Sequence, residues 1–304
     1  MSVKLNDGNS MPLLAFGVGT ALISFSSETV DRAKVDLVKY AIKTGYRHID
    51  TAEMYQTEQE VGAAIKESIE EGVVRREDLF VTTKVSEDMP NAKEKIEVSL
   101  KKLGLDYVDL YLVHGPYFNE SPSELQQIWA AMESIKESGK ARSIGVSNYE
   151  ESHILTTLET ARIPPAVNQI EFHPYLQHGN LLPISRQRAG IVTSAYGALA
   201  PLTRNIPGPL DDTLKALSEK YGVSPALICL RWCIEQDVVV ITTSRNQERI
   251  DEYKTVFDFQ LTEGEVGAIS AKGTECVKEE YVPRIIRYVR GLKQKEEGNA
   301  SNNK

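Results

Sequence analysis

The sequence lacks any apolar run of the roughly 18 residues that a membrane-spanning helix requires. The opening Met1-Ser2-Val3-Lys4-Leu5-Asn6-Asp7-Gly8 also lacks the apolar middle of a secretory signal. Both absences point away from a membrane partner and toward a cytoplasmic protein. Cysteine is scarce, with only Cys229, Cys233 and Cys276. An odd number without Cys-x-x-Cys spacing or nearby histidines argues against a disulfide framework and a zinc site, so free thiols and no metal are expected. Basic charge is in deficit: 35 Lys and Arg against 43 Asp and Glu give a net charge of −8. Such a surface is poorly suited to nucleic-acid phosphates or anionic lipid, which leaves a small molecule as the expected ligand.

What is present is an ordinary globular composition, 41% hydrophobic and 26% charged over 304 residues. That length suits two average domains, but α/β barrels of this size fold as one. The chain begins with two short apolar runs around Asn6-Asp7-Gly8-Asn9, a hairpin signal able to plug one end of a barrel. Strand-like and helix-like segments then alternate: 14–18 and 28–43, 46–50 and 58–70, 79–84 and 92–103, 107–114 and 123–138. The alternation continues with 142–147 and 151–160, 166–170 and a weaker 181–188, 191–196 and 211–236, 238–243 and 247–255. Runs such as Val238-Val239-Val240-Ile241 are apolar throughout, as parallel strands covered on both faces should be.

Eight strand-helix units predict a single (β/α)8 barrel, a TIM barrel in the α/β class. A dinucleotide-binding open sheet is disfavoured, because Gly17-Val18-Gly19-Thr20 lacks the third glycine of G-x-G-x-x-G. A helix over 263–271 and an aperiodic segment over 273–289 form a C-terminal extension. Arg284, Arg287, Arg290, Lys293 and Lys295 read as a solvated basic face. With no internal linker, residues 1–292 are expected to form one domain and 293–304 a disordered polar tail, in a monomer or weak homodimer.

In a (β/α)8 barrel the chemistry sits at the C-terminal ends of the strands. Those positions hold Asp50, Glu53 and Tyr55 after the second strand, Lys84 after the third, His114 after the fourth and Ser147-Asn148 after the fifth; Gln169 lies near the end of the sixth and Tyr196 after the seventh. A lysine ending an apolar strand needs a counter-charge, and Asp50 on the neighbouring strand supplies one. An ammonium beside Tyr55 should favour the phenolate and lower its pKa toward working pH, so that the phenol could protonate a developing alkoxide. His114 would add a hydrogen bond to the same oxygen.

These residues resemble a known family, the aldo-keto reductases. The resemblance is carried by Gly45-Tyr46-Arg47-His48-Ile49-Asp50-Thr51-Ala52-Glu53-Met54-Tyr55 and by Leu103-Gly104-Leu105-Asp106-Tyr107-Val108-Asp109-Leu110-Tyr111-Leu112-Val113-His114. Gly139-Lys140-Ala141-Arg142-Ser143-Ile144-Gly145-Val146-Ser147-Asn148 and Asn168-Gln169-Ile170-Glu171-Phe172-His173-Pro174 add to it. It implies NAD(P)H-dependent carbonyl reduction by a tetrad of Asp50, Tyr55, Lys84 and His114, with Tyr55 as general acid. It further implies that Ser147, Asn148 and Gln169 hold the nicotinamide carboxamide, that Tyr196 stacks on the ring, and that Gly19, Thr20 and Leu199 line the cofactor path.

The family's usual Pro-Lys-Ser after the eighth strand reads Thr242-Thr243-Ser244 here. Ser244, Arg245 and Arg249 near a helix start would still suit the 2′-phosphate of NADPH, which is favoured over NADH, and Glu252 could meet the adenine amine. Ala21 and Gly115 stand where many members carry tryptophan, so the substrate pocket is expected to be wider and less aromatic. His114-Gly115-Pro116 resembles the His-Ser-Pro of fungal reductases of conjugated polyketones and α-keto amides. Activated ketones such as α-dicarbonyls, α-keto esters and keto lactones are therefore expected, along with aldehydes. A noncatalytic NADP(H)-binding regulatory subunit of the same fold is the alternative, disfavoured by the intact tetrad. A sugar-phosphate isomerase is disfavoured by the lack of paired carboxylates.

Overall fold

In a computed structural model, which describes residues 1–20, 22–23, 29–117, 121–204 and 207–276, each apolar run expected to be a strand becomes one. The N-terminal segments pair as an antiparallel hairpin of β1 (Ser2–Lys4) and β2 (Ser10–Pro12). Gly8 takes φ +88° in its turn, a conformation that favours glycine. The Asn6 amide donates to the carbonyls of Pro165 and Ala189 at 2.8 Å each, and the Asn9 amide to Ser143 Oγ at 2.9 Å. Leu5 and Met11 pack with Phe80, Leu110, Leu112, Val167 and Val239 inside the barrel. The hairpin is thus the plug expected from its sequence, sealing the end opposite the strand C-termini.

The barrel alternates β3 (Leu14–Gly17), α1 (Arg32–Thr44), β4 (His48–Asp50), α2 (Glu58–Glu70), β5 (Phe80–Val85), α3 (Ala92–Leu103), β6 (Val108–Val113) and α4 (Pro122–Glu137). It continues through β7 (Ala141–Ser147), α5 (Glu151–Leu158), β8 (Val167–Glu171), α6 (Leu181–Ala189) and β9 (Val192–Tyr196). Next come α7 (Ala200–Thr203), α8 (Asp211–Tyr221), α9 (Pro225–Ile234), β10 (Val239–Thr242), α10 (Gln247–Lys254) and α11 (Glu263–Thr274). The eight strands β3 to β10 are parallel and close on themselves, Val240 of β10 lying opposite Leu14 of β3. A second, larger apolar layer fills the space between the strands and the helices.

Local chemistry fixes the helix ends. Asp31 caps α1 by accepting from the Ala33 N–H, and Gly45 ends it at φ +114°. Ser121 and Glu124 form a capping box at the start of α4. The stretch 211–236, expected as one helix, is two. Gly222 terminates α8 in a left-handed conformation, then Ser224 caps α9 with Pro225 in its first turn. Gly62 brings α2 against α3, since a Cβ there would lie 2.4 Å from the Leu103 carbonyl oxygen. Cys229 and Cys233 are buried on α9, burial pushing the Cys229 thiol up to about 12. No helix among the described residues is long and apolar enough to cross a membrane. Ala21, the basic stretch from Arg284 to Lys295, the segment 277–292 and the tail 293–304 lie outside the described residues.

Candidate active site

Parallel register gathers the strand ends into one rim: Gly17 lies opposite Asp50, Ser147 opposite Gln169, and Glu171 opposite Tyr196. At its centre Lys84 is fully buried and Asp50 nearly so. Lys84 Nζ donates to Asp50 Oδ1 at 2.6 Å and to the Thr51 carbonyl at 2.8 Å, while Gln169 Nε2 donates to Asp50 Oδ2 at 2.9 Å. Burial works against the lysine's charge, but Asp50 and then Tyr55 override it, and its pKa is raised. Lys84 is therefore a fixed cation.

Tyr55 ends a short 3₁₀ turn, Glu53–Tyr55, beyond β4. Its ring is flanked by three groups. Lys84 Nζ stands 5.0 Å from the ring centroid, the His114 ring meets it edge-on with centroids 5.4 Å apart, and its hydroxyl lies 3.5 Å from His114 Nε2. Gly19 closes the remaining side, because a Cβ there would stand 2.8 Å from the tyrosine ring. The expected lowering of the Tyr55 pKa does not occur. Burial raises it and outweighs the opposing pull of Lys84, whose charge is already balanced by Asp50. Tyr55 thus holds its proton firmly at neutral pH. His114 is driven well below its ordinary value, first by burial and then by Lys84, so its ring is neutral.

Ser147, Asn148, Gln169 and Tyr196 form one connected network beside this group. Ser147 Oγ donates to the Gln169 carbonyl at 2.7 Å, and Asn148 Nδ2 donates to Ser147 Oγ and to the His114 carbonyl at 2.9 Å each. Tyr196 donates to Asn148 Oδ1 at 2.7 Å. Asn148 takes φ +58°, a strained backbone of the kind found at functional sites. The structure therefore brings Asp50, Tyr55, Lys84, His114, Ser147, Asn148, Gln169 and Tyr196 together. Thr20, also at positive φ, is exposed, and Leu199 is half-buried at the start of α7.

Ser244, Arg245 and Arg249 stand at the N-terminus of α10, away from that centre. Asn246 caps the helix by accepting from the Arg249 N–H, Ser244 Oγ accepts from the Asn246 N–H at 3.0 Å, and both arginines are exposed. The neighbouring Thr242 and Thr243 hydroxyls are buried without a hydrogen-bond partner. Unsatisfied hydroxyls, two guanidinium groups and a helix N-terminus together fit an anionic group such as a nucleotide phosphate. Glu252 lies one helical turn further on, half-buried.

The expectation of a less aromatic pocket is corrected at one position. Beside Gly115, the buried Tyr117 ring occupies the space, 2.2 Å from where a Cβ of residue 115 would stand. Its hydroxyl is buried beside the Asn148 side chain, and it is held protonated first by burial and then by Tyr196 and Tyr55, against the opposing pull of Asn148. Sequence reasoning missed Tyr117 and Ser86, although each lies two or three residues past a strand-end residue already selected. Glu53, selected only by its place, accepts from the Ser86 and Glu87 N–H groups and from Lys95.

Comparison with known proteins agrees with this arrangement. The family model described as "Aldo/keto reductase family" matches residues 15–273. The NAD/NADP-dependent indole-3-acetaldehyde reductase of Schizosaccharomyces pombe is 39% identical over 280 residues, covering 91% of this chain and 97% of that protein. Among solved structures, a Bombyx mori aldo-keto reductase in complex with NADP aligns with TM-score 0.81 at 38% identity, over 90% of this chain and 92% of that one. An aldo/keto reductase from Brucella melitensis aligns with TM-score 0.78 at 38% identity, over 90% and 99% of the two chains. The fold and the strand-end site define a barrel oxidoreductase. The chain belongs to the aldo/keto reductase family.

Proposed function

We propose that the protein is an NADPH-dependent carbonyl reductase in which Tyr55 is the general acid. The observation that carries this reading is the protonated Tyr55 hydroxyl 3.5 Å from a neutral His114 Nε2 and beside the buried Lys84–Asp50 pair. A reduced nicotinamide, when bound, supplies the hydride to the carbonyl carbon. Tyr55 then donates its proton to the oxygen that gains charge, and His114 Nε2 adds a hydrogen bond to that oxygen. The raised pKa of Tyr55 means that the acid carries its proton at neutral pH, while Lys84 lies close enough to stabilise the phenolate left behind. Asp50 keeps that lysine charged and in place.

The side chains of Ser147, Asn148 and Gln169 have the donors and acceptors to hold the carboxamide, exchanging part of their present network for it. Tyr196 offers an aromatic face for the ring, and Gly19, Thr20 and Leu199 border the path toward the α10 end. There Ser244, Arg245 and Arg249 suit the 2′-phosphate, with Glu252 near enough in sequence to serve the adenine. NADPH is favoured over NADH for that reason, and the NADP in the Bombyx mori structure is consistent with it. That residues from Gly19 to Glu252 lie on one closed barrel supports reading the described part of residues 1–292 as a single domain.

For substrates we favour activated ketones, including α-dicarbonyls, α-keto esters and keto lactones, with aldehydes also accepted, as in the fungal polyketone and α-keto amide reductases. The support is Gly115 together with the buried Tyr117 hydroxyl near Asn148, Tyr55 and Tyr196, which could meet a second substrate oxygen. The test is cofactor oxidation with an α-dicarbonyl and with an aldose, comparing NADPH and NADH at equal concentration. Faster NADPH oxidation with the dicarbonyl is expected. Turnover of neither substrate with either cofactor would overturn the reading.

A further inference from the structure

Ser86 lies two residues past Lys84, just beyond the end of β5, and touches the site from behind. Its Oγ is 2.8 Å from His114 Nδ1, the ring nitrogen opposite the one that faces Tyr55. The serine is itself held in place. Its N–H donates to Glu53 Oε2 at 2.9 Å, the Glu87 N–H shares that oxygen at 3.1 Å, and Lys95 Nζ donates to Glu53 Oε1 at 2.9 Å. Glu53 begins the turn that ends at Tyr55, so one carboxylate ties the tyrosine-bearing segment to the residue that touches the imidazole.

A neutral imidazole has one N–H and one lone pair, and the partner of one nitrogen decides which nitrogen is the donor. With the hydrogen on Nδ1, Nε2 would turn a lone pair toward a carbonyl oxygen and repel it. With the hydrogen on Nε2, the ring can donate to that oxygen. Ser86 Oγ meets His114 Nδ1 at 2.8 Å, and a serine hydroxyl can donate to that nitrogen when the nitrogen carries the lone pair. We infer that Ser86 is a positioning residue, donating its hydroxyl hydrogen to His114 Nδ1 and so holding the imidazole as the Nε2–H tautomer aimed at the site. Its contact with the site is the one to His114, through which it acts. The catalytic consequence rests on the reductase reading, whereas the tautomer does not.

The test is nitrogen-15 NMR of the full chain labelled at histidine, with the His114 signals assigned by their loss in His114→Gln. The ring-nitrogen shifts distinguish the two tautomers directly. The wild type is expected to show Nε2–H, Ser86→Ala a mixture, and Ser86→Thr, which keeps a hydroxyl, the wild-type pattern. In kinetics, Ser86→Ala should lower kcat about five- to tenfold, the size of one lost neutral hydrogen bond, with cofactor Kd and KM unchanged and Ser86→Thr restoring the rate. A wild-type protein showing Nδ1–H overturns the inference, as does a Ser86→Ala variant with unchanged tautomer and rate. Should the tautomer respond to Ser86→Ala in a wild type that reduces no carbonyl, the serine's role is supported and the reductase reading is the one that fails.

Discussion

Replacing Lys84 with methionine keeps most of the side chain's volume and removes only its charge and donors. The consequence follows from what is left behind. Asp50, with its side chain 4% exposed, loses the ammonium 2.6 Å away, and the Thr51 carbonyl loses its donor at 2.8 Å. Gln169 still donates to Asp50 Oδ2, but a neutral amide does not balance a buried carboxylate. Removing one partner of a buried pair costs about 3–5 kcal/mol. At about 2–4 °C per kcal/mol for a chain of this size, the Tm should fall by about 6–20 °C. The loss should be smaller at low pH. Protonation in acid removes the stranded charge and with it the cost of burying that charge, so the penalty is largest where the carboxyl is ionised. The double variant Lys84→Met, Asp50→Asn removes the stranded charge and should recover about half of the loss or more. Thermal unfolding of the three proteins at pH 7 and pH 5 reads all of this. A Lys84→Met protein as stable as wild type at pH 7, or a double variant less stable than the single one, would refute the reasoning.

Two other perturbations probe different parts of the molecule. Arg249→Met should raise KM for NADPH tenfold or more, since a hydrogen bond to a charged group is worth about 1.5–3 kcal/mol, and leave NADH almost untouched; equal losses with both cofactors would contradict a phosphate contact. Acid should destabilise the fold between pH 6.5 and about 4. Burial, opposed by Asp50, holds His48 down to about 4, and His114 lies well below its ordinary value. The unfolded chain therefore takes up protons that the folded one refuses, so stability is full above the unfolded value and lost as pH falls. His48 alone contributes about 3 kcal/mol. Urea unfolding at pH 7.5 and 4.5 measures this, and equal midpoints would contradict buried neutral histidines.

The barrel was legible because parallel strands covered on both faces are written as short apolar runs, and eight of them alternate with helical periodicity. That Asp50, Tyr55, Lys84 and His114 gather in one place was legible because barrel strand ends share one rim, where an acid and a lysine on adjacent strands have to pair. The break between α8 and α9 was also written in the sequence, as Gly222 followed by Ser224-Pro225, but the apolar spacing runs through it and conceals it. The direction of the Tyr55 pKa was not legible: it is a sum of burial, Lys84 and Asp50 that only the folded arrangement determines. Nor could the small residue at 115 reveal that Tyr117 turns back to fill the space beside it. Ser86 escaped for a related reason, since its significance lies in which imidazole nitrogen it faces.

Tyr55→Phe tests the central claim most directly, because it deletes one oxygen and leaves the ring against Gly19 and His114. NADPH affinity would be followed by fluorescence titration and hydride transfer to an α-dicarbonyl by single-turnover absorbance. The account predicts an unchanged Kd with a rate lower by about 10²–10⁴-fold, the contribution of an oriented general acid. Wild-type turnover in that variant would contradict it.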